Sequence, residues 1–152
     1  HKGIEKYAFI KTKDRDPNQP IEVELHFGVP GSGKTKQAAQ RFPNAYWLSG
    51  TKWWDGYEGQ KEVIIDDFYG WIPYHQFLRV IDRYPYTCEV KGGTRKLVAT
   101  KFIITSNKEP KDWYDYQKIH GSVETINRRI TSVFEYLKDF TEEDVYIINQ
   151  LK

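Results

Sequence analysis

The chain has 152 residues, enough for one domain with a sizeable core. Its 39% hydrophobic and 16% aromatic content excludes a disordered polymer, and a net charge of +2 excludes nucleic-acid binding through bulk charge alone. The single cysteine, Cys88, excludes an intrachain disulfide or a cysteine-based metal site and reads as a buried strand thiol. No apolar run approaches membrane-span length, so no membrane partner is expected, and the cysteine usage favours an intracellular protein. The chain starts at His1 and contains no Met, and is therefore expected to be a piece of a longer polypeptide.

Residues 1–20 are rich in Lys and Asp and end in the breaker cluster Asp16 to Pro20, which predicts a linker. Ile21 to Phe27 alternates apolar and polar residues as a strand does. A glycine-rich loop follows, then a predicted helix from Thr35 to Arg41, stopped by Pro43. Val63-Ile64-Ile65 is a second, apolar strand. A helix with Pro73 in its first turn carries Phe77, Leu78 and Ile81 at helical spacing. Thr87 to Val90 and Arg95 to Ala99 predict a hairpin around Lys91-Gly92-Gly93-Thr94. Lys101 to Thr105 is a further apolar strand, and Ser122 caps a helix through Val123, Ile126 and Ile130. Thr131 to Leu137 carries both signals, and its β-branched and aromatic residues favour a strand. Alternating strands and helices predict an α/β fold with a mainly parallel central sheet flanked by helices, with the ligand beyond the carboxyl ends of the strands.

Gly28-Val29-Pro30-Gly31-Ser32-Gly33-Lys34-Thr35 satisfies the Walker A pattern at every required position. Glycines at 28, 31 and 33 let the backbone bend so that successive N–H groups point at phosphate oxygens. The following helix adds its positive end, Lys34 supplies a mobile charge for the β- and γ-phosphates, and the Thr35 hydroxyl is a ligand for Mg²⁺. ATP with Mg²⁺ is the expected cofactor, cradled by Gly28, Pro30, Gly31, Ser32, Gly33, Lys34 and Thr35.

Asp66 and Asp67 close the second strand. A carboxylate there holds the metal, and its neighbour accepts a proton from the attacking water. Alternation along a strand separates the two, so Asp66 is assigned to the metal and Asp67 to the base. Asn107 follows another apolar strand, where its amide reaches both the water and the γ-phosphate; a turn Asn is an equally good reading of the residue alone.

The order of these motifs is similar to that of superfamily 3 helicases, and most closely resembles the ATPase domain of replication-initiator (Rep) proteins of circovirus-like small circular single-stranded DNA viruses. The resemblance rests on Lys52-Trp53-Trp54-Asp55-Gly56-Tyr57, Asp66-Asp67-Phe68-Tyr69-Gly70-Trp71, Arg83-Tyr84-Pro85 and Thr105-Ser106-Asn107 with Pro110 and Trp113-Tyr114, and covers about residues 25–135. It implies an AAA+-like P-loop NTPase fold over residues 21–152, with the strand before Asn107 lying between the Walker A and acidic strands. It further implies a ring, hexameric in the full-length protein, that translocates on single-stranded DNA during rolling-circle replication, in the host nucleus for a eukaryotic virus. Lys34, Thr35, Asp66, Asp67 and Asn107 would keep the roles given above, and residues 1–20 would be part of an assembly segment. The family's nicking domain carries paired histidines and a Tyr-x-x-Lys nucleophile; neither occurs in this sequence, so nicking is not expected of this chain.

By position in the family pattern, Arg129 is the expected arginine supplied to the next subunit's γ-phosphate, with Arg128 the close alternative. Lys91, Arg95, Lys96 and Lys101 form an uninterrupted basic cluster. Lys91, and less firmly Lys96, are expected to track a DNA backbone without reading bases. Trp53, Trp54 and Tyr57 suit base stacking, but core packing is the safer expectation. The competing readings are an RNA helicase of the same superfamily, a small-molecule P-loop kinase, for which no arginine-rich lid is evident, and a nucleotide-binding assembly module without turnover.

Overall fold

The computed structural model describes residues 13–137 and residue 143. The predicted linker lies outside the described residues over 1–12, as does the end of the predicted domain over 138–142 and 144–152.

Five parallel strands form the central sheet: β1 (Glu22–Gly28), β2 (Tyr46–Ser49), β3 (Glu62–Asp66), β6 (Lys101–Ser106) and β7 (Ser132–Tyr136), in the order β2-β3-β6-β1-β7. The other two, β4 (Thr87–Val90) and β5 (Gly93–Lys96), pair as an antiparallel hairpin. The helices are α1 (Lys34–Arg41), α2 (Tyr74–Val80) and α3 (Val123–Asn127), with a 3₁₀ turn at Pro110–Asp112. The α/β class with a mainly parallel sheet is therefore as expected, and β6 lies between β1 and β3.

The apolar runs in β3 and β6 follow from burial on both faces. Val63, Ile65, Phe102 and Ile104 join Val23 and Leu25 in the larger core, while Ile64 and Ile103 point the other way, against Ala38 and Phe42. The larger core is capped by aromatic residues: Phe68 stacks on Phe77 at 4.6 Å and meets the edge of Trp113 at 4.9 Å. Cys88 is fully buried, as expected, and burial pushes its thiol up to about 11.

On the α1 face, β1 carries polar side chains into the interior. Glu24 accepts from His26 Nε2 at 2.8 Å, from both terminal nitrogens of Arg41 at 2.7 and 2.9 Å, and from Lys101 at 3.0 Å. His26 Nδ1 meets the Tyr136 hydroxyl at 2.7 Å, and Phe134 stacks on its ring. These contacts join β1, α1, β6 and β7 directly behind the glycine-rich loop.

Several local expectations are corrected. Strand β2 is additional to the expected elements, because Tyr46-Trp47-Leu48-Ser49 is too short to show a period. The hairpin turn is the two-residue Lys91-Gly92, with Gly92 at φ +85° and Val90 opposite Gly93. Its second strand therefore starts two residues before Arg95, and Leu97 and Ala99 leave it to enter the core. Pro73 stands just outside α2 rather than within it, and Ile81 just after it. Arg15, within the expected linker, is 4% exposed and donates to the carbonyls of Arg79, Val80 and Tyr84, satisfying the end of α2.

Candidate functional site

Two strand ends, the glycine-rich loop after β1 and the first turn of α1 converge on one cleft of about 660 Å³, with Gly28 just outside its walls. Its walls are the loop from Pro30 to Lys36, the pair Asp66 and Asp67 at the end of β3, and Thr105, Ser106 and Asn107 at the end of β6. All the predicted phosphate-loop residues from 30 to 35 and the three polar residues at 66, 67 and 107 are thereby brought together.

The loop glycines take the conformations their chemistry permits. Gly28, Gly31 and Gly33 sit at φ +147°, +75° and +90°. At Gly28 there is also no room for a side chain, since a Cβ would lie 2.2 Å from the Tyr136 carbonyl oxygen on β7. Gly33 is the α1 N-cap in the left-handed conformation and makes no side-chain cap, so the first N–H groups of the helix remain open to the cleft. Lys34 Nζ donates to the carbonyls of Gly28 and Val29 at 3.1 and 2.7 Å and to Ser32 Oγ at 3.3 Å. Burial lowers its pKa, and the Asp67 carboxylate opposes that shift.

Thr35 Oγ1 donates to Asp66 Oδ1 at 2.8 Å. Thr105 Oγ1 donates to the same oxygen at 2.9 Å and accepts from the Asp67 N–H at 2.8 Å. Asp67 itself has φ +50°, a strained conformation for a residue with a Cβ. The strand ends at Asp66, and the chain turns so that Asp67 also lines the cleft. The separation expected from strand alternation therefore does not hold, because alternation stops where the strand does. The next turn is fixed by Phe68 N–H to Thr105 O at 2.8 Å and by Ser106 Oγ to Phe68 O at 2.6 Å. Gly70 allows the backbone there to pass Trp113, whose carbonyl oxygen would lie 2.0 Å from a Cβ.

Sequence reasoning missed Thr105. Its β-branched shape reads as an ordinary strand residue, and only the neighbouring position of β3 reveals that its hydroxyl orients an acidic side chain. Asn107 is exposed, at the cleft margin.

The donor set fits a magnesium ion. Thr35 and Asp66 supply two hard oxygens in mutual contact at the cleft. Such a sparse set suits a cation that takes one or two protein ligands and keeps water and phosphate oxygens for the rest.

The remaining predicted residues lie elsewhere. Arg129 Nη1 donates to Thr125 O at 2.8 Å and Nη2 to Asp82 at 3.1 Å, so its guanidinium is engaged within its own chain. Arg128 is exposed. Lys91 is exposed at the hairpin tip, and Lys96 is half-buried and 3.8 Å from Asp14. Trp54 and Tyr57 are buried in the core as expected, whereas Trp53 is only half-buried. No helix among the described residues is long and apolar enough to cross a membrane.

A parallel α/β domain with a glycine loop, an acidic strand end and a polar strand end in one cleft has the general plan of a nucleotide-driven enzyme. A family model described as RNA helicase matches residues 25–108. The replication-associated protein of Goose circovirus is 51% identical over 111 residues, 72% of this chain and 36% of that protein. The corresponding protein of Porcine circovirus 2 is 41% identical over 145 residues, 93% of this chain and 46% of that protein. That of Beak and feather disease virus is 41% identical over 122 residues, 80% of this chain and 41% of that protein. The chain belongs to this superfamily 3 helicase family, as a helicase domain of the circovirus-like replication-initiator (Rep) type. It spans less than half the length of these curated relatives.

Proposed function

We propose that this P-loop, AAA+-like domain is the Mg²⁺-dependent ATPase motor of a viral replication-initiator helicase, which moves along single-stranded DNA as a ring during rolling-circle replication. The observation that supports it most is the convergence of the loop at 30–35 with Asp66, Asp67 and Asn107 on one cleft.

In this reading the loop N–H groups and Lys34 bind and orient the triphosphate. Thr35 and Asp66 hold Mg²⁺, which when bound neutralises charge on the phosphate oxygens. Asp67 accepts the proton of the attacking water, and Asn107 orients that water against the terminal phosphate. Thr105 keeps Asp66 in position. An arginine of the next subunit completes the site, and hairpin residues Lys91 and Lys96 meet the DNA backbone. For the trans-acting arginine the family pattern gives Arg129 first and Arg128 as the alternative; Arg129 faces Asp82 within its own chain and Arg128 is exposed.

The matched family's description favours a second reading, an RNA substrate. The replication-associated relatives favour DNA. The test is ATP hydrolysis by the wild-type and Lys34→Ala chains, with Mg²⁺ or EDTA and with oligo(dT) or oligo(U). Turnover that requires Lys34 and Mg²⁺ and rises with oligo(dT) is expected. Unchanged turnover in Lys34→Ala sinks the motor reading.

A further inference from the structure

Beside the hairpin lies a second cleft, of about 460 Å³, whose walls include Trp47, Ser49, Trp53, Asp55 and Lys91. We propose that it is a nucleobase-stacking subsite for a single strand, with Trp53 as the stacking platform and the Lys52 and Lys91 ammonium groups on the adjoining phosphates.

The three neighbouring aromatic residues divide cleanly. Trp54 and Tyr57 are 1% and 2% exposed, and Trp54 stacks on Tyr46 at 5.5 Å within the core. Trp53 is left half-buried at the cleft, and Trp47 on the edge strand β2 is 38% exposed. An apolar ring held at a wet, concave surface offers a π-face that accepts any base, which is what a sequence-tolerant motor needs. Lys52 Nζ lies over the Trp53 ring, 5.3 Å from its centroid, so a base stacking on that face takes the ammonium's place and leaves it for the adjoining phosphate. The volume lies within the roughly 300–1,000 Å³ range of ligand clefts.

The cleft is built rather than incidental. Asp55 Oδ1 accepts from the Lys91 N–H at 2.8 Å, and the Trp54 N–H donates to Glu89 O at 2.9 Å. These bonds lock the aromatic loop to both the tip and the first strand of the basic hairpin. Asp55 uses one carboxylate oxygen to hold the hairpin tip, and its negative charge stays on the cleft wall beside Lys91. Ser49, at one wall, is in register with Asp66 on β3, so the subsite stands one strand away from the nucleotide cleft.

This inference rests on the proposal that the domain binds a single strand, and the experiment separates the two. The wild-type chain, Trp53→Phe and Trp53→Leu are titrated with labelled oligo(dT), with oligo(U) and with an abasic strand of equal length, following anisotropy and tryptophan emission. Stacking worth about 1–3 kcal/mol corresponds to roughly 5- to 150-fold in affinity. Trp53→Leu is expected to weaken oligo(dT) binding by about tenfold or more, while its ATP hydrolysis without nucleic acid matches wild type. Trp53→Phe should hold affinity within about threefold but lose most of the emission quenching. The abasic strand should bind wild type and Trp53→Leu equally weakly. Wild-type binding of oligo(dT) that is unaffected by Trp53→Leu overturns the subsite and leaves the motor reading standing. No binding of either strand by an ATP-hydrolysing wild type removes both. A Trp53→Leu defect confined to oligo(U) overturns the assignment to DNA.

Discussion

Thr105 Oγ1 donates to Asp66 Oδ1 at 2.9 Å, so the strand that leads into Asn107 also aims the acidic side chain of its neighbour. The same hydroxyl oxygen accepts the Asp67 N–H, which couples the left-handed turn at Asp67 to that aim. Thr105→Val keeps the shape and removes both bonds. Loss of such an outer partner costs about 10- to 100-fold in metal affinity or activity. We expect that fall in Mg²⁺-dependent ATP hydrolysis, a stability loss of about 1–3 kcal/mol from the orphaned N–H, and near-recovery in Thr105→Ser. Wild-type turnover in Thr105→Val would show that Asp66 needs no such support.

The two aspartates are expected to fail differently. Asp66→Asn should raise the Mg²⁺ concentration needed for half-maximal hydrolysis, because it weakens the hard-oxygen pair with Thr35. Asp67→Asn should leave nucleotide affinity within about threefold and lower kcat by about 10²- to 10⁴-fold, the usual contribution of a general base. Magnesium titrations of hydrolysis beside binding of a fluorescent ATP analogue separate the two, and reversed phenotypes would exchange the roles.

Arg128 and Arg129 can be told apart by stability. Removing Arg129 strands a half-covered Asp82 and a helix carbonyl, so Arg129→Ala should cost about 1–2 kcal/mol in urea unfolding. Arg128→Ala should change stability by no more than about 0.5 kcal/mol, as exposed substitutions usually do. If Arg128 acts on a neighbouring subunit, mixing Arg128→Ala with Lys34→Ala chains should restore part of the hydrolysis that each lacks alone. Recovery with Arg129→Ala instead would return the role to that residue.

Acid should weaken the fold behind the phosphate loop. Burial raises the Glu24 pKa, but hydrogen bonds from His26 and Arg41, the Arg41 charge and Lys101 outweigh it and hold the carboxyl well below the usual carboxylate range. Burial lowers the His26 pKa below 6.5, against the opposing pull of Glu24. In both cases the unfolded chain binds the proton more readily, so stability is fully present above the unfolded pKa and falls as pH drops below it. The loss should begin near pH 6.5 through His26 and steepen below about 4.5 through Glu24, each contributing up to about 1.4 kcal/mol per pH unit. Urea unfolding of wild type and His26→Gln between about pH 7.5 and 5.5 checks the first step. An equal slope in both would mean that His26 is not its source.

The residue types that line the cleft, and most of the frame that holds them, can be read from residue order alone. Glycines at 28, 31 and 33, Lys34, Thr35 and a run of apolar residues ending in Asp66 leave few alternatives, because each is a local demand of backbone conformation or side-chain type. The parallel sheet, the Ser122 cap and the buried Cys88 were legible for the same reason. Contacts between groups distant along the chain cannot be read that way. Thr105 meets Asp66, Arg129 meets Asp82, Arg15 meets the end of α2, and Trp53 separates from Trp54 at the surface. A residue's type states which bonds it can make, whereas only the packing of the strands fixes which groups lie within about 3 Å to make them.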